Sequence, residues 1–397
     1  MVNLDRQAYL MSLNNPARRV IYLLWAGLVI GGCGTAHGNW TSLLNGSQRD
    51  SIESEIQFPL EIKWEINPSG YWGFRSSPAI YEGTVYIGTI TGILYAVDAR
   101  SGNVRWQKTV PDRIEHSSPA VDDRGVYVGC ENGVVYAFGH DGRELWTVTT
   151  GAKIECSPIV VDGRLYIGNK AGDFFAIDAT NGNSIWQTKC NGPVFARPTV
   201  ADGAVFIGSE GFQGGTLYAF ETGNGAERFT FRCGTIPGYD QARGSIYSAV
   251  LHAKGRIYFG SMDGLIYCLD SATGDKVWSR GFDKGIAGSP AMANGIIVIG
   301  VQDRHWYGLN AANGETAWKH ATDRYYPNLR SPVIVNGIAI VQYEYQVLGL
   351  DLQTGEKVGN LEFTAEDGPC DGSATAVYGD RLYTCTRFKL LCLGNKP

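Results

Sequence analysis

The stretch Ala176-Ile177-Asp178-Ala179-Thr180-Asn181-Gly182-Asn183-Ser184-Ile185-Trp186 decides how this chain folds. Its first residues close an apolar run that reads as a strand. Asp178 and Thr180 carry side chains that bond nearby backbone N–H groups, and Gly182 supplies the left-handed residue of a tight turn. A second strand then runs to Trp186. Just upstream, Val161-Asp162-Gly163-Arg164-Leu165-Tyr166-Ile167-Gly168 sets Asp-Gly between apolar alternations, a hairpin signal because both central residues of a type I′ turn need positive φ. Ser157-Pro158 precedes that hairpin. One unit is therefore Ser-Pro, four short strands and a terminal Trp.

The unit recurs about every 40 residues. Ser-Pro stands at Ser77-Pro78, Ser118-Pro119, Ser157-Pro158, Ser289-Pro290 and Ser331-Pro332, with Arg197-Pro198 in the same slot. Ser248-Ala249 and Ser373-Ala374 read as copies that lack the Pro, which makes eight repeats. The terminal slot holds Trp106, Trp146, Trp186, Trp278 and Trp318, with Phe229 in the fourth copy and Gly359 in the seventh. The eighth copy stops at Leu393-Gly394, before a fourth strand. The missing strand is at the other end, in Leu60–Ile66, where Trp64 lies 42 residues before Trp106. The expected fold is all-β: an eight-bladed β-propeller of four-stranded antiparallel blades, its ring closed by the N-terminal strand around Trp64. Closure by both termini removes two open sheet edges.

Composition agrees. The chain has 52 Gly, 12% aromatic and 18% charged residues, a mix suited to many short strands and tight turns. The formal net charge of −5 gives no broad footprint for nucleic acid, whose binding rests on neutralising phosphates. The propeller spans 60–397, residues 33–59 read as a linker, and 1–32 read as an export signal: Arg18 and Arg19 precede the apolar run Val20–Ile30, too short to span a bilayer.

The end of that run, Leu28-Val29-Ile30-Gly31-Gly32-Cys33, resembles a bacterial lipobox, which implies lipidation of Cys33. Gly34 is not the Asp that retains such lipoproteins at the inner membrane, so the resemblance points to the outer membrane. Ala36-His37-Gly38 offers ordinary signal cleavage as the alternative, giving a periplasmic product.

The segments Ala96 to Trp106, Ala176 to Trp186 and Cys268 to Trp278 resemble the tryptophan-docking motif of the pyrroloquinoline-quinone (PQQ) repeat propellers. The resemblance covers nearly all of 60–394. It makes Trp64, Trp106, Trp146, Trp186, Trp278 and Trp318 packing residues between wedge-shaped blades. The family has a dehydrogenase branch that holds PQQ over the axis and a cofactor-free branch of outer-membrane assembly lipoproteins of the BamB type. The dehydrogenase branch implies an adjacent Cys-Cys pair against the quinone, a supporting Trp, and Ca²⁺ held by oxygen ligands. This sequence has no Cys-Cys pair, its repeats are close to minimal, and no catalytic constellation appears. The six His residues (His37, His116, His140, His252, His305 and His320) show no metal-ligand spacing. The expected function is a non-catalytic, monomeric binding scaffold without cofactor, for an envelope protein or glycan partner. A PQQ-dependent oxidoreductase with Ca²⁺, acting on alcohols or sugars, is the alternative.

In a propeller, the loops from fourth to first strand and from second to third share one face. The candidate binding face collects Trp72, Arg75, His116, Arg197, Phe212, Tyr239, Arg243, His305, Tyr326, Arg330 and Tyr343, a mix of aromatics and Arg suited to hot spots. One departure stands out: from Phe229 to Ser248 the spacing is 19 residues, where other copies need 11 to 14. The extra segment 235–243 and the smaller insertion at Phe212-Gln213-Gly214-Gly215 are expected to form one patch. Cys268 and Cys392 take the small-residue slot of the third strand and read as buried thiols, while Cys190 and Cys233, in equivalent slots of consecutive repeats, leave a disulfide open.

Overall fold

A computed structural model describes residues 52–68, 73–211, 214–234, 244–322, 330–370 and 373–397. These residues form eight four-stranded antiparallel sheets and no helix among those described. Sheet order follows chain order in seven blades, as in Ala79–Tyr81, Thr84–Gly88, Ile93–Asp98 and Val104–Thr109. The eighth blade takes its fourth strand from the other end of the chain: Leu60–Ile66 runs antiparallel to Leu390–Asn395, with Leu60 opposite Asn395 and Ile66 opposite Leu390. The closure expected from Trp64 is therefore the one observed.

Burial falls outward along each blade. Thr84–Gly88 is buried throughout, whereas Val104–Thr109 is largely exposed. The core consequently lies between blades. Tyr86, Leu94 and Ala96 of the first blade pack with Val126, Val128 and Tyr136 of the second, and each fully buried large side chain contributes about 1.5–3 kcal/mol.

The docking Trp acts across that same seam. In every blade the register shifts just before the docking position, as where Ala176 faces Trp186 but Ile177 faces Ser184. A bulge of this kind bends a strand and re-aims its side chain. Each Trp indole then donates to a backbone carbonyl of the next blade: Trp64 to Ala99 (3.0 Å), Trp106 to His140 (2.7 Å), Trp146 to Ala179 (3.0 Å), Trp186 to Thr222 (3.0 Å), Trp278 to Ala311 (3.1 Å) and Trp318 to Leu352 (2.8 Å). The indole also lies flat on the turn glycine of that blade. Gly182 has φ +76°, and a Cβ there would sit 3.0 Å from the Trp146 ring. The Thr-Gly turn and the Trp four residues after it in the repeat are thus two halves of one inter-blade contact, each meeting its counterpart in the neighbouring blade.

The seventh blade breaks the pattern at Gly359, and the repair comes from outside the repeat. Phe58 packs directly on Gly349, and a Cβ at Gly359 would meet the Phe58 Cβ at 2.7 Å. The chain reaches this point as a strap. Ile52 bridges Val335 in parallel, Asn336 accepts the Ser54 N–H at 3.0 Å, and Asn395 accepts the Gln57 N–H at 2.8 Å. Residues 52–59, read from sequence as linker, are packed against the last two blades. The eighth blade has no Thr-Gly turn to receive a Trp, because its fourth strand comes from the N-terminus, and Phe58 fills the vacated position.

The first strands are tied into a ring. Ser77 N–H donates to Ser118 Oγ (2.8 Å), Ser118 to Ser157 (2.9 Å), Ala249 to Ser289 (2.8 Å), Ser289 to Ser331 (3.0 Å) and Ala374 to Ser77 (2.7 Å). This ring corrects the alignment of two repeats by one residue. Ser248 and Ser373 do not occupy the Ser77 slot. They bond twelve residues ahead within their own blades, to Gly260 and Cys385, as Ser76 does to Gly88. The ring slots of those two blades are Ala249 and Ala374.

Candidate functional site

The loops between blades and the second-to-third-strand loops are joined by a backbone hydrogen bond in blade after blade: Ile90 N–H to Gly73, Glu131 to Arg113, Lys170 to Lys153, Glu210 to Pro193, Met262 to Ser245 and Gln302 to Gly285. They form one face, as the strand order requires. The hairpin and third-to-fourth-strand turns are joined to each other at the other ends of the strands, as in Ala99 N–H to Gly83 and Ala179 to Gly163.

At the centre of the loop face is a cavity of about 440 Å³. Its floor is the complete ring slot: Ser77, Ser118, Ser157, Arg197, Ala249, Ser289, Ser331 and Ala374. Above the floor stand Arg75, His116, Glu155, Phe195, Tyr247 and Ala287. The rim is two-sided. On one side, Arg75 Nη1 meets Glu115 Oε1 at 2.6 Å, and Lys153 bridges Glu131 (3.0 Å) and Glu155 (2.7 Å), with Lys170 3.5 Å from Glu155. Burial alone would raise the Glu155 carboxyl, but the Lys153 hydrogen bond and the charges of Lys153, Lys170 and His116 outweigh it and hold the group below its usual range. On the other side, Phe195 and Tyr247 meet edge to face at 5.6 Å between centroids, and Lys170 lies over the Phe195 ring at 5.3 Å.

Arg197 sits between these halves and is only 3% exposed. Burial pulls its guanidinium down to about 9, which leaves it charged at neutral pH. It is the one charged residue in the ring slot, and it stands at one of the three slot positions, 197, 249 and 374, that offer no Oγ to the preceding blade's N–H.

Of the candidate face residues, the structure brings Arg75, His116 and Arg197 together at the cavity. His305 is turned into its own loop, its Nδ1 2.8 Å from the Asp303 carbonyl oxygen. Arg330 is 9% exposed, and Tyr343, at 8%, packs in an inter-blade cluster with Ile334 and Leu348. Tyr343 is thus a core residue here, because the second strand of its blade runs on to include it. Trp72, Phe212, Tyr239, Arg243 and Tyr326 lie outside the described residues. The stems of the two insertions do meet: a Cβ at Gly244 would press on the Gly234 carbonyl and lie 2.9 Å from the Gly214 Cα. Sequence reasoning missed Phe195 and Tyr247, although both stand two residues before a ring-slot residue.

The cavity does not suit a PQQ–Ca²⁺ pair. Calcium takes about six to eight oxygen ligands, carboxylates foremost. Glu155 is the one carboxylate among the described lining residues, and two lysines hold it. No group of three His, Cys, Asp or Glu among the described residues is arranged to hold a metal. The eight described cysteines are free and buried, Cys190 and Cys233 included.

The family model described as outer membrane protein assembly factor BamB matches residues 61–154, 131–238 and 213–392. Among curated proteins no sequence relative matches. The solved structure of BamB from Moraxella catarrhalis is similar, with 20% identity over 84% of this chain and 99% of that one and a TM-score of 0.73. So is quinohemoprotein alcohol dehydrogenase from Comamonas testosteroni, at 13% identity over 90% and 81% with a TM-score of 0.76. A europium-containing methanol dehydrogenase is similar at 13% identity over 90% and 98%, TM-score 0.75. At such identities these likenesses concern the fold.

Proposed function

The chain belongs to the PQQ-repeat propeller family of the outer membrane protein assembly factor BamB, and from that membership we propose that it is an exported, lipid-anchored, non-catalytic scaffold whose loop face holds an envelope protein. The observation that carries the reading is the family match, which runs through nearly the whole propeller. The face itself supports it. Loops fixed to one another by backbone hydrogen bonds form a rigid platform, and rigid platforms bind at low ordering cost. Cys33 is the anchor in this reading, and a partner in outer membrane protein assembly is the class that the family name suggests.

The test is photo-crosslinking in a bacterial host. A crosslinking residue is placed at His116, Tyr247 or His305 on the loop face, and at Arg100, Asn181 or Thr273 on the opposite face. A single defined envelope protein captured from the first set and not the second supports the scaffold. Equal capture from both faces, or none, refutes it, and capture of a polysaccharide assigns the face to a glycan instead. Radiolabelled palmitate follows the anchor. Label should enter the wild type and not Cys33→Ala, whereas a soluble product beginning at Asn39 would mean ordinary cleavage.

A further inference from the structure

Each blade ends in a strand with no neighbour on its outer side, so the ring presents eight free sheet edges on its circumference. A free edge offers unpaired N–H and C=O groups to any other strand. Charged side chains, Lys above all, are the usual protection, because pairing would desolvate them. Seven of the eight outer strands carry Lys or Arg, as Val104–Thr109 does with Arg105 and Lys108, and Thr316–Ala321 with Lys319. The outer strand of blade two, Glu144–Thr149, carries none. After Glu144 it reads Leu-Trp-Thr-Val-Thr, uncharged and rich in the aromatic and β-branched residues that favour strand pairing. The register shows which of its backbone groups are free. Thr150 N–H donates inward to the Gly133 carbonyl at 2.8 Å, and Val148 and Thr147 stand opposite Val135 and Tyr136. Hydrogen-bonded and open pairs alternate along an antiparallel ladder. Trp146 and Val148 therefore bond inward, and the N–H and C=O of Thr147 and Thr149 point out of the ring. Both threonines are exposed.

We propose that this edge is a dimerisation site. Two copies of the chain join their blade-two sheets there, with Glu144–Thr149 of one antiparallel to the same strand of the other about a two-fold axis at Thr147. The occupant follows from the charge pattern. In that register Thr147 faces its own copy, Trp146 faces the partner's Val148 and Leu145 faces the partner's Thr149. Thr–Thr and aromatic–β-branched pairs are among those that stabilise sheets. The two Glu144 carboxylates fall at opposite ends of the shared ladder, so no like charges meet. Every other edge of a second copy would bring a Lys or Arg into the seam. Blade two is thus matched best by blade two. A two-fold contact uses one patch on both copies and closes at two, so an edge open to its own copy does not seed a fibre. The site goes beyond the scaffold reading and stands without it. The loop face lies at the ends of the strands and this edge on the circumference, so a loop-face partner and a second copy use different surfaces. A dimer replaces the monomer expected from the sequence.

Sedimentation of the exported protein, purified in a detergent of matched density, tests the site. One strand pair is at the small end of specific interfaces, so a reversible dimer with a dissociation constant of about 1–100 μM is expected. Two variants at Thr147 separate charge from shape. Thr147→Gln installs the residue that blades one and three carry in this slot, Gln107 and Gln187, and should leave the dimer intact. Thr147→Lys installs the residue of blade six, Lys319. It sets two ammonium groups face to face on the axis, should weaken the dimer at least about tenfold, and should regain part of the loss as salt screens the charges. Both residues already serve this slot elsewhere in the ring, so both Tm values should match the wild type. Thr147→Cys gives a geometric reading. Facing Cα atoms of a hydrogen-bonded pair lie about 5.5 Å apart, within disulfide reach. Oxidised glutathione should therefore cross-link Thr147→Cys much faster than Gln107→Cys or Gln187→Cys. A monomer at every concentration overturns the proposal, as does a dimer that Thr147→Lys leaves intact or equal cross-linking by all three Cys variants. A chain that stays monomeric but captures another envelope protein through residue 147 also overturns it, and assigns the edge to a foreign strand. Capture at the loop face is unaffected by any of these outcomes, so the scaffold reading fails or holds separately.

Discussion

Phe58→Ala should loosen the closure of the ring by an amount that the geometry fixes. Phe58 stands in for the docking aromatic that the seventh blade lacks, packing over Gly349 and Gly359. Removing a fully buried Phe costs about 3–5 kcal/mol. Phe58 is only partly buried, so about half of that, roughly 2 kcal/mol, is expected. With unfolding entropy of about 2 cal/mol/K per residue, a propeller of this size loses roughly 1–1.5 °C of Tm per kcal/mol. Calorimetry should therefore show a fall of about 2–3 °C. The sharper test is a double-mutant cycle. Gly359→Trp alone should destabilise, since even a Cβ at 359 would lie 2.7 Å from the Phe58 Cβ. In the Phe58→Ala background the same Trp enters an emptied slot and should recover stability, a coupling of about 1–3 kcal/mol. Additive effects, or a Phe58→Ala protein with unchanged Tm, would refute the account of Phe58 as the seventh docking residue.

Two further expectations concern titration and thiols. Asp98 is held at about 2, chiefly by its Arg105 hydrogen bond and then by the Ser101 N–H, and Asp270 and Asp351 are lowered mainly by backbone N–H groups of their turns. Their folded values lie below the unfolded value of about 3.9, so the stability they add is complete above about pH 4 and is lost as pH falls toward 2. Tm measured from pH 7 to 2 should be level and then decline below about 4, less steeply for Asp98→Asn; a rise in that window would contradict the sign. The eight described cysteines are all buried, and burial pushes Cys156 and Cys190 up to about 12. A thiol reagent at pH 8 should leave all eight untouched in the native protein and modify them on denaturation. Rapid native labelling of any one would mean that its blade opens.

The parts of this fold that could be read from sequence are those whose signal is local and repeated. The turn glycine and the docking Trp lie a few residues apart and recur, so Gly182 and Trp186 could be recognised before any contact between blades was known. Trp64 was legible for the same reason, although it serves the opposite end of the chain. Phe58 was not, because nothing near Gly359 announces that a residue about 300 positions away fills its slot. The cavity wall was half legible. Arg75, His116 and Arg197 stood out as charged residues beside Ser-Pro. Tyr247 was hidden by a one-residue error: with Ser248 placed in the ring slot, Tyr247 fell beneath the rim instead of on it. The hydrogen bonds from Ala249 to Ser289 and from Ser248 to Gly260 set that register. Tyr343 ends the second strand of its blade, Ile338–Tyr343, which is buried continuously from Ala339 on.

The departures from the repeat fall in two sectors: Gly359 and Ala374 beside the closing blade, where Phe58 packs over Gly359, and a denser group in blades four and five. Arg197 replaces the ring Ser, Phe229 replaces the docking Trp, Ala249 and Val250 replace Ser-Pro, and the two insertions, at 212–215 and 235–243, all fall between residues 197 and 250. A structural ring under uniform demand would spread such changes evenly, because every seam has the same work to do. Six seams keep the indole hydrogen bond, and the seam at Gly359 is filled by Phe58. The seam after Phe229 relies on packing against Gly274. Docking strength has been given up beside the same blades that bring a charge to the ring slot and an aromatic pair to the cavity wall. Relaxation of the repeat therefore coincides in blades four and five with the charged and aromatic part of the cavity lining, Arg197, Phe195 and Tyr247.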